Sequence, residues 1–189
     1  DCTGHGVPGA IMSMFGVAYL HEIVGNNGIT KPSEIIDELR SIVIESLQQD
    51  VDSEVKDGMD ISILTIDESE GLVEMAGAFN PVYLIRNNEL TIIPADHMPV
   101  SIGETDRPFS NHRMNYEKGD CFYLFTDGFA SQFGGPQNKK LKQIGFRNLL
   151  LENHSRPMNE QKPVYDQFFE TWKGSCEQID DVLLMGIRF

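Results

Sequence analysis

From Pro8 to about Val24, apolar residues fall on nearly every helical face: Ala10, Ile11, Met12, Met14, Phe15, Val17, Ala18, Leu20, Ile23 and Val24. That pattern predicts a buried helix, and Gly25-Asn26-Asn27-Gly28 stops it. A second helix is expected from about Lys31, with Thr30 as its N-cap and Pro32 tolerated in the first turn. Its apolar positions Ile35, Ile36, Leu39, Ile42, Val43 and Leu47 recur at helical spacing, which makes it amphipathic. The period then changes. Met59 to Ile66, Leu72 to Ala76, Val82 to Arg86 and Glu89 to Ile93 read as strands, with Asn87-Asn88 as a tight hairpin turn and Asn80-Pro81 as another turn. Pro94 to Pro108, including His97, reads as loop, and Arg113 to Tyr116 as a further strand. Cys121 to Phe125 is continuously apolar, as suits a strand buried on both faces, and Asp127-Gly128 ends it. Helical spacing returns over Ile144 to Glu152 and Val164 to Trp172, and Val182 to Ile187 forms a terminal strand. Helices, a block of antiparallel strands, more helices and one strand make an α+β fold.

Composition narrows the classes. A chain of 189 residues suits one domain, and it can bury roughly 70% of its unfolded surface without disulfides. Acids outnumber bases 29 to 15, for a net charge of −14. Such a surface repels phosphate backbones and anionic lipid, so nucleic-acid and membrane-surface roles are disfavoured. No apolar run approaches the ~20 residues that span a bilayer, so a transmembrane segment is ruled out. Cys2, Cys121 and Cys176 are odd in number and scattered, which points to a reducing, cytoplasmic setting rather than a disulfide framework. The chain opens at Asp1 inside a glycine-rich turn, with no initiator Met or leader, and this reads as a piece of a longer protein.

Three acidic positions share one local pattern. Asp1 precedes Thr3-Gly4-His5-Gly6, Asp127 follows the most apolar strand, and Asp180-Asp181 precedes the last. Carboxylates converging from strand ends would repel one another unless a hard divalent ion with oxygen ligands joined them. Each position also has a plainer reading: Asp-Gly is a common turn, Asp180-Asp181 suits a solvated strand start, and Asp1 an exposed end. Spacing alone leaves both open. Asp60 faces inward or outward with equal sense on strand alternation. Arg86 and Arg113 read as surface charge, Lys139, Lys140 and Lys142 as a solvated helix start, and Trp172 as packing.

The segment Asp1-Cys2-Thr3-Gly4-His5-Gly6-Val7-Pro8-Gly9-Ala10-Ile11-Met12-Ser13 resembles the signature of bacterial phosphatases of the stage II sporulation protein E (SpoIIE) type, a branch of the metal-dependent protein phosphatase 2C (PPM) superfamily. Gly58-Met59-Asp60-Ile61-Ser62, Tyr123-Leu124-Phe125-Thr126-Asp127-Gly128 and Glu177-Gln178-Ile179-Asp180-Asp181-Val182 match in order. Gln132-Phe133-Gly134-Gly135-Pro136 and Trp172-Lys173-Gly174 look like a subgroup that serves as the output domain of bacterial sensory proteins. The resemblance covers essentially all of residues 1–189 as a single phosphatase domain.

The resemblance implies a four-layer αββα sandwich of the protein phosphatase 2C type, here truncated at its N-terminus. It implies two Mn²⁺ or Mg²⁺ ions. Asp1 resembles the bridging carboxylate, Cys2 the neighbouring carbonyl ligand, and Asp127 and Asp180 the carboxylates completing one metal's shell, with Gly4, His5 and Asp181 near substrate or supporting the site. The implied reaction is hydrolysis of phosphoserine or phosphothreonine in a regulatory protein, such as an anti-sigma-factor antagonist, under an attached N-terminal sensory domain and without membrane insertion of the domain itself, though the parent protein can be membrane-tethered. The family's upstream metal-binding acid lies outside this chain, so weak metal binding and little hydrolysis are expected of it. Ser131 stands where the subgroup has an acid. Both departures keep a second reading open, a non-catalytic module that acts by binding a partner. A nucleotide site at Gly4-His5-Gly6 lacks the preceding strand and the P-loop Lys. Dimerisation through unpaired strand edges is a further expectation.

Overall fold

The computed structural model describes residues 1–4, 6–50, 57–103 and 107–189. In chain order the elements are α1 (Val7–Leu20), which continues as a π-helical stretch His21–Asn26, then α2 (Pro32–Ser46), β1 (Ile61–Asp67), β2 (Leu72–Ala78), β3 (Val82–Arg86), β4 (Glu89–Ile93), β5 (His112–Asn115) and β6 (Cys121–Phe125). There follow α3 (Gly128–Ser131), the short strands β7 (Phe133–Gly134) and β8 (Lys139–Lys140), α4 (Lys142–Asn153), α5 (Met158–Lys173) and β9 (Leu184–Arg188). They form two compact units, Asp1–Pro81 with Ile93–Tyr116, and Val82–Ile92 with Glu117–Phe189.

The first unit is an antiparallel sheet in the order β1-β2-β5 with α1 and α2. Ile35, Ile36, Leu39 and Val43 of α2 form a buried stripe at helical spacing, and it packs with Ala76, Ala78, Met98, Val100 and Phe109. Thr30 does not cap α2: Lys31 occupies that position in extended conformation, and no side chain caps the helix. Pro32 at the first helical position needs no donor there, so the start is set by proline rather than by a hydroxyl.

α1 corrects the expectation of a buried helix. Only Met12 and Gly16 are buried within it, while Val7, Met14 and Val17 are 73%, 72% and 71% exposed. A pattern apolar all round does not specify a face. The contact does: a methyl group built on Gly16 would lie 3.2 Å from the Met59 terminal carbon, so the helix sits on that side. The expectation that no segment reaches spanning length is also corrected. Val7–Asn26 is 20 residues long and apolar enough to cross a membrane on length and composition. Gly9, Ser13, Gly16, His21 and Glu22 interrupt its apolar run without making the stretch polar overall. A core helix passes the same test, and Met12 and Ile23 anchor this one in the first unit's core.

The second unit is a sheet in the order β4-β3-β6-β9 with α3, α4 and α5. β6 is central, and its Cys121, Phe122, Tyr123 and Phe125 are all at most 3% exposed, as a continuous apolar run predicts. Antiparallel partners set its register, Tyr83 opposite Tyr123 and Leu184 opposite Phe125. Phe129, Phe146, Leu150, Tyr165 and Phe169 close the core from the helices. Asn87 and Asn88 both have positive φ, 51° and 64°, as a two-residue hairpin turn between β3 and β4 requires.

Three further expectations change. Arg86 is not loose surface charge: its Nε donates to Asp120 Oδ1 at 2.8 Å, and its Nη1 pairs with Glu117 at 3.0 Å. Asp120 is 2% exposed. Burial opposes its charge, but Arg86 and the Glu117 N–H outweigh that and hold its carboxyl below the usual carboxylate range. Arg113, by contrast, stays a surface residue, 66% exposed and 3.9 Å from Glu74. Lys139 and Lys140 do not open a helix but pair with Gly134 and Phe133 in a small hairpin, and Lys142 alone begins α4. α5 begins at Met158, well before Val164, because Pro163 does not end it. Gln161, 2% exposed, secures the early turns by donating to His154 O and Arg156 O at 3.0 and 2.9 Å.

Candidate functional site

The four segments that carry the resemblance meet in two pairs, one in each unit. In the first unit, Asp1-Cys2-Thr3 runs antiparallel to Gly58-Met59-Asp60. Asp60 N–H donates to Asp1 O at 2.7 Å, and Thr3 N–H to Gly58 O at 3.0 Å. These bonds flank a bridge between Cys2 and Met59. In such a non-hydrogen-bonded pair, a residue's own C=O points away from its partner. The Cys2 carbonyl is therefore directed away from Met59, where a ligand could use it. Thr3 fixes the same segment a second time, since Gly58 N–H donates to its Oγ1 at 2.9 Å. Gly58 is required by close approach: an added Cβ would stand 2.7 Å from Ser101 Cβ and 2.8 Å from Val100 O.

Gly4 and Gly6 hold positive φ, 86° and 67°, which glycine adopts freely. Gly6 is the N-cap of α1, and its C=O accepts from Ala10 N–H at 3.1 Å. A Cβ on Gly9 would stand 2.9 Å from Gly4 O, so the turn lies close on the helix start. Asp1 is exposed. His5 lies outside the described residues.

In the second unit, the turn after β6 and the segment before β9 bring Asp127 and Asp180 together. A carboxylate oxygen of one lies within 4.8 Å of one of the other. Asp127 is exposed and accepts a hydrogen bond from Ser131 Oγ at 3.2 Å. The residue that departs from the subgroup's acid thus touches the candidate ligand directly. Asp180 is half-buried, and its Oδ1 accepts from Asp181 N–H at 2.9 Å. Among the described residues neither carboxylate is paired with a cationic side chain. Asp181 itself serves through its backbone, because its C=O accepts from Thr126 Oγ1 at 2.7 Å.

Thr126, to which the sequence gives no separate role, joins these two segments. Leu183 N–H donates to the same Oγ1 at 2.9 Å, and Thr126 N–H to Leu183 O at 3.2 Å. One hydroxyl between an apolar strand and an aspartate thereby ties the two aspartate-bearing segments together. A hydroxyl ending a fully apolar strand was the available signal. Gly128 permits the approach, since a Cβ there would overlap Asp181 O and lie 3.2 Å from Asp180 Cβ.

Two carboxylates this close, unpaired and reachable by solvent, form an all-oxygen donor set. That set fits a hard divalent ion such as Mg²⁺ or Mn²⁺ and not a thiolate-seeking metal. The family profile of Stage II sporulation protein E (SpoIIE) matches residues 1–189. The chain belongs to the SpoIIE family. It is a phosphatase domain of the protein phosphatase 2C type, homologous to metal-dependent serine/threonine phosphatases, with the α+β fold of that group. No curated protein matches it. Among solved structures it resembles the SiaA-PP2C domain of Pseudomonas aeruginosa, with a TM-score of 0.87 and 25% identity over 100% of this chain and 72% of that one. It also resembles the PP2C phosphatase domain, with a fragment of the regulatory domain, of SpoIIE from Bacillus subtilis, with a TM-score of 0.74 and 16% identity over 100% of this chain and 52% of that one. The catalytic domain of the serine/threonine phosphatase PstP, solved with two manganese ions, has a TM-score of 0.65 and 15% identity over 98% of this chain and 83% of that one.

Proposed function

We propose that this SpoIIE-family domain holds two divalent cations, Mn²⁺ or Mg²⁺, through Asp127, Asp180, Asp1 and the Cys2 carbonyl, and hydrolyses phosphoserine or phosphothreonine in a partner protein. The partner is a phosphorylated regulatory protein of the anti-sigma-factor antagonist kind, and the domain is the output of a cytoplasmic sensory chain. The observation that carries the reading is the Asp127–Asp180 pair, two unneutralised carboxylates within 4.8 Å. The all-oxygen chemistry of the set supports the choice of metals, and the regulatory fragment in the SpoIIE structure supports the signalling context.

Bound there, the ions supply Lewis acidity toward a water and positive charge for the phosphoryl oxygens. The chain's own residues provide the geometry. Ser131 orients the Asp127 carboxylate, and the Asp181 N–H holds one oxygen of Asp180. Thr126 fixes the spacing of the two segments. Gly4 and Gly6, without side chains, leave room beside Asp1 for a phosphate group to approach the backbone.

The test is para-nitrophenyl phosphate hydrolysis with Mn²⁺, together with calorimetric Mn²⁺ titration. Asp127→Asn and Asp180→Asn are each expected to lower the Mn²⁺-dependent rate by more than about 100-fold, beyond what loss of a supporting residue does. Hydrolysis that persists in EDTA, or wild-type protein that binds no Mn²⁺, overturns the reading.

A further inference from the structure

The segment Gln132-Phe133-Gly134-Gly135 and Trp172 supply no ligand to the proposed metal site, yet they form one bonded unit. Gln132 is 1% exposed. Its Nε2 donates to Phe133 O at 2.9 Å and to Glu177 O at 3.0 Å. Its backbone C=O accepts from Trp172 Nε1 at 3.0 Å and from Leu141 N–H at 3.1 Å. Gly135 N–H donates back to Trp172 O at 2.7 Å, and a Cβ on Gly134 would overlap that same oxygen.

The unit brackets the site. Thr126, immediately before Asp127, grips Asp181 and Leu183, just after Asp180. Gln132, five residues after Asp127 and joined to its turn by Gln132 N–H to Gly128 O at 3.0 Å, grips Glu177, three residues before Asp180. Asp180 is therefore suspended between two ties, each reaching back to one side of Asp127.

The choice of glutamine at a buried position carries the argument. Gln132 Oε1 is a buried acceptor without a partner among the described residues. An unsatisfied buried acceptor is destabilising relative to an apolar side chain of similar volume. Fold stability alone thus favours leucine or methionine here. The amide's gain lies in its donor end, which reaches a backbone carbonyl of the segment that delivers Asp180.

We propose that Gln132, braced by Trp172, is a positioning residue that sets the reach of Asp180 toward Asp127 and so tunes metal affinity. The inference rests on the metal-binding reading above. Its decisive variants are Gln132→Met, which keeps volume and removes the donor, and Trp172→Phe, which removes the indole N–H. Gln161→Leu is the control: that glutamine is also buried in the second unit, but it bonds Tyr123, Tyr165 and the turn between α4 and α5 instead.

Mn²⁺ affinity measured by calorimetry is expected to weaken about 10-fold in Gln132→Met, the low end of the effect of residues that orient metal ligands. Trp172→Phe shifts it less and in the same direction, and Gln161→Leu lowers thermal stability with the Mn²⁺ dissociation constant unchanged. Amide hydrogen exchange without metal gives a second readout: residues 175–181 exchange about 10-fold faster in Gln132→Met, while α4 keeps wild-type protection. Wild-type affinity in both Gln132→Met and Trp172→Phe, or equal weakening in Gln161→Leu, overturns the inference and leaves the metal-binding reading standing. If the wild type binds no Mn²⁺, that reading falls, and the exchange comparison alone decides whether Gln132 positions the segment.

Discussion

The substitution Asp127→Asn removes one of two negative charges whose oxygens lie within 4.8 Å, and it keeps an acceptor for Ser131. At 4.8 Å two unit charges repel by about 0.9 kcal/mol under water-like screening and by ~3.5 kcal/mol at an effective dielectric of 20. Asp127 is exposed and Asp180 half-buried, so the lower figure governs and a gain of about 1 kcal/mol is expected. For a domain of this size that raises the melting temperature by about 3 °C. The metal-dependent term moves the other way. A cation at 100 times its dissociation constant stabilises the wild type by about 2.7 kcal/mol, and the variant loses most of that. Scanning calorimetry in EDTA, and again with saturating Mn²⁺, reads both effects. The variant melts higher than wild type without metal and lower with it. The metal-free gain also shrinks in 1 M salt, where the screening length is about 3 Å. A variant that melts lower than wild type in EDTA, or gains as much from Mn²⁺ as wild type does, refutes the reasoning.

Arg86→Leu leaves Asp120 buried without its partner, at a cost of about 3 kcal/mol in urea unfolding. Because the Asp120 carboxyl is held below its unfolded value of about 3.9, the wild-type pair contributes above that pH and is lost as pH falls through the depressed value. The gap between wild type and Arg86→Leu therefore narrows in acid, and a constant gap from pH 7 to pH 3 contradicts the assignment. Gly128→Ala drives a methyl group onto Asp181 O. It is expected to cost about 2–3 kcal/mol and to weaken Mn²⁺ binding, whereas unchanged affinity means the two segments do not need their close approach. Burial, with Tyr165 adding to it, pushes the Tyr123 phenol far above its ordinary value. The folded protein keeps that proton, so stability is full below about pH 10 and declines above it. Absorbance of ionised Tyr123 at 295 nm then rises only as the chain unfolds, and Tyr123→Phe removes that phase. A phase present before unfolding shows the phenol to be accessible.

Much of the scaffold was legible because period and turn chemistry agreed. The run Cys121 to Phe125 became the central strand, and Asn87-Asn88 the hairpin turn. The four motif segments also adjoin in pairs, and the Asp127–Asp180 approach follows where two of them meet. What escaped the sequence depended on partners distant along the chain. Arg86 reads as a solvated cation until β6 brings Asp120 beside it. Thr126 and Gln132 look like ordinary polar residues until their carbonyl partners arrive from residues 177–183. The face of α1 was unreadable for a different reason, since a helix apolar all round has no polar side to turn outward. Pro163 hid the first turns of α5, because local propensity yields where tertiary bonds hold a helix start.

Val7, Ile11, Met14 and Val17 recur at helical spacing along one outer stripe of α1, and all four are exposed. Such an oily seam favours adsorption at air–water and plastic boundaries. Dilute samples of this chain are therefore expected to lose material to vessel walls, and a trace of nonionic detergent to restore recovery.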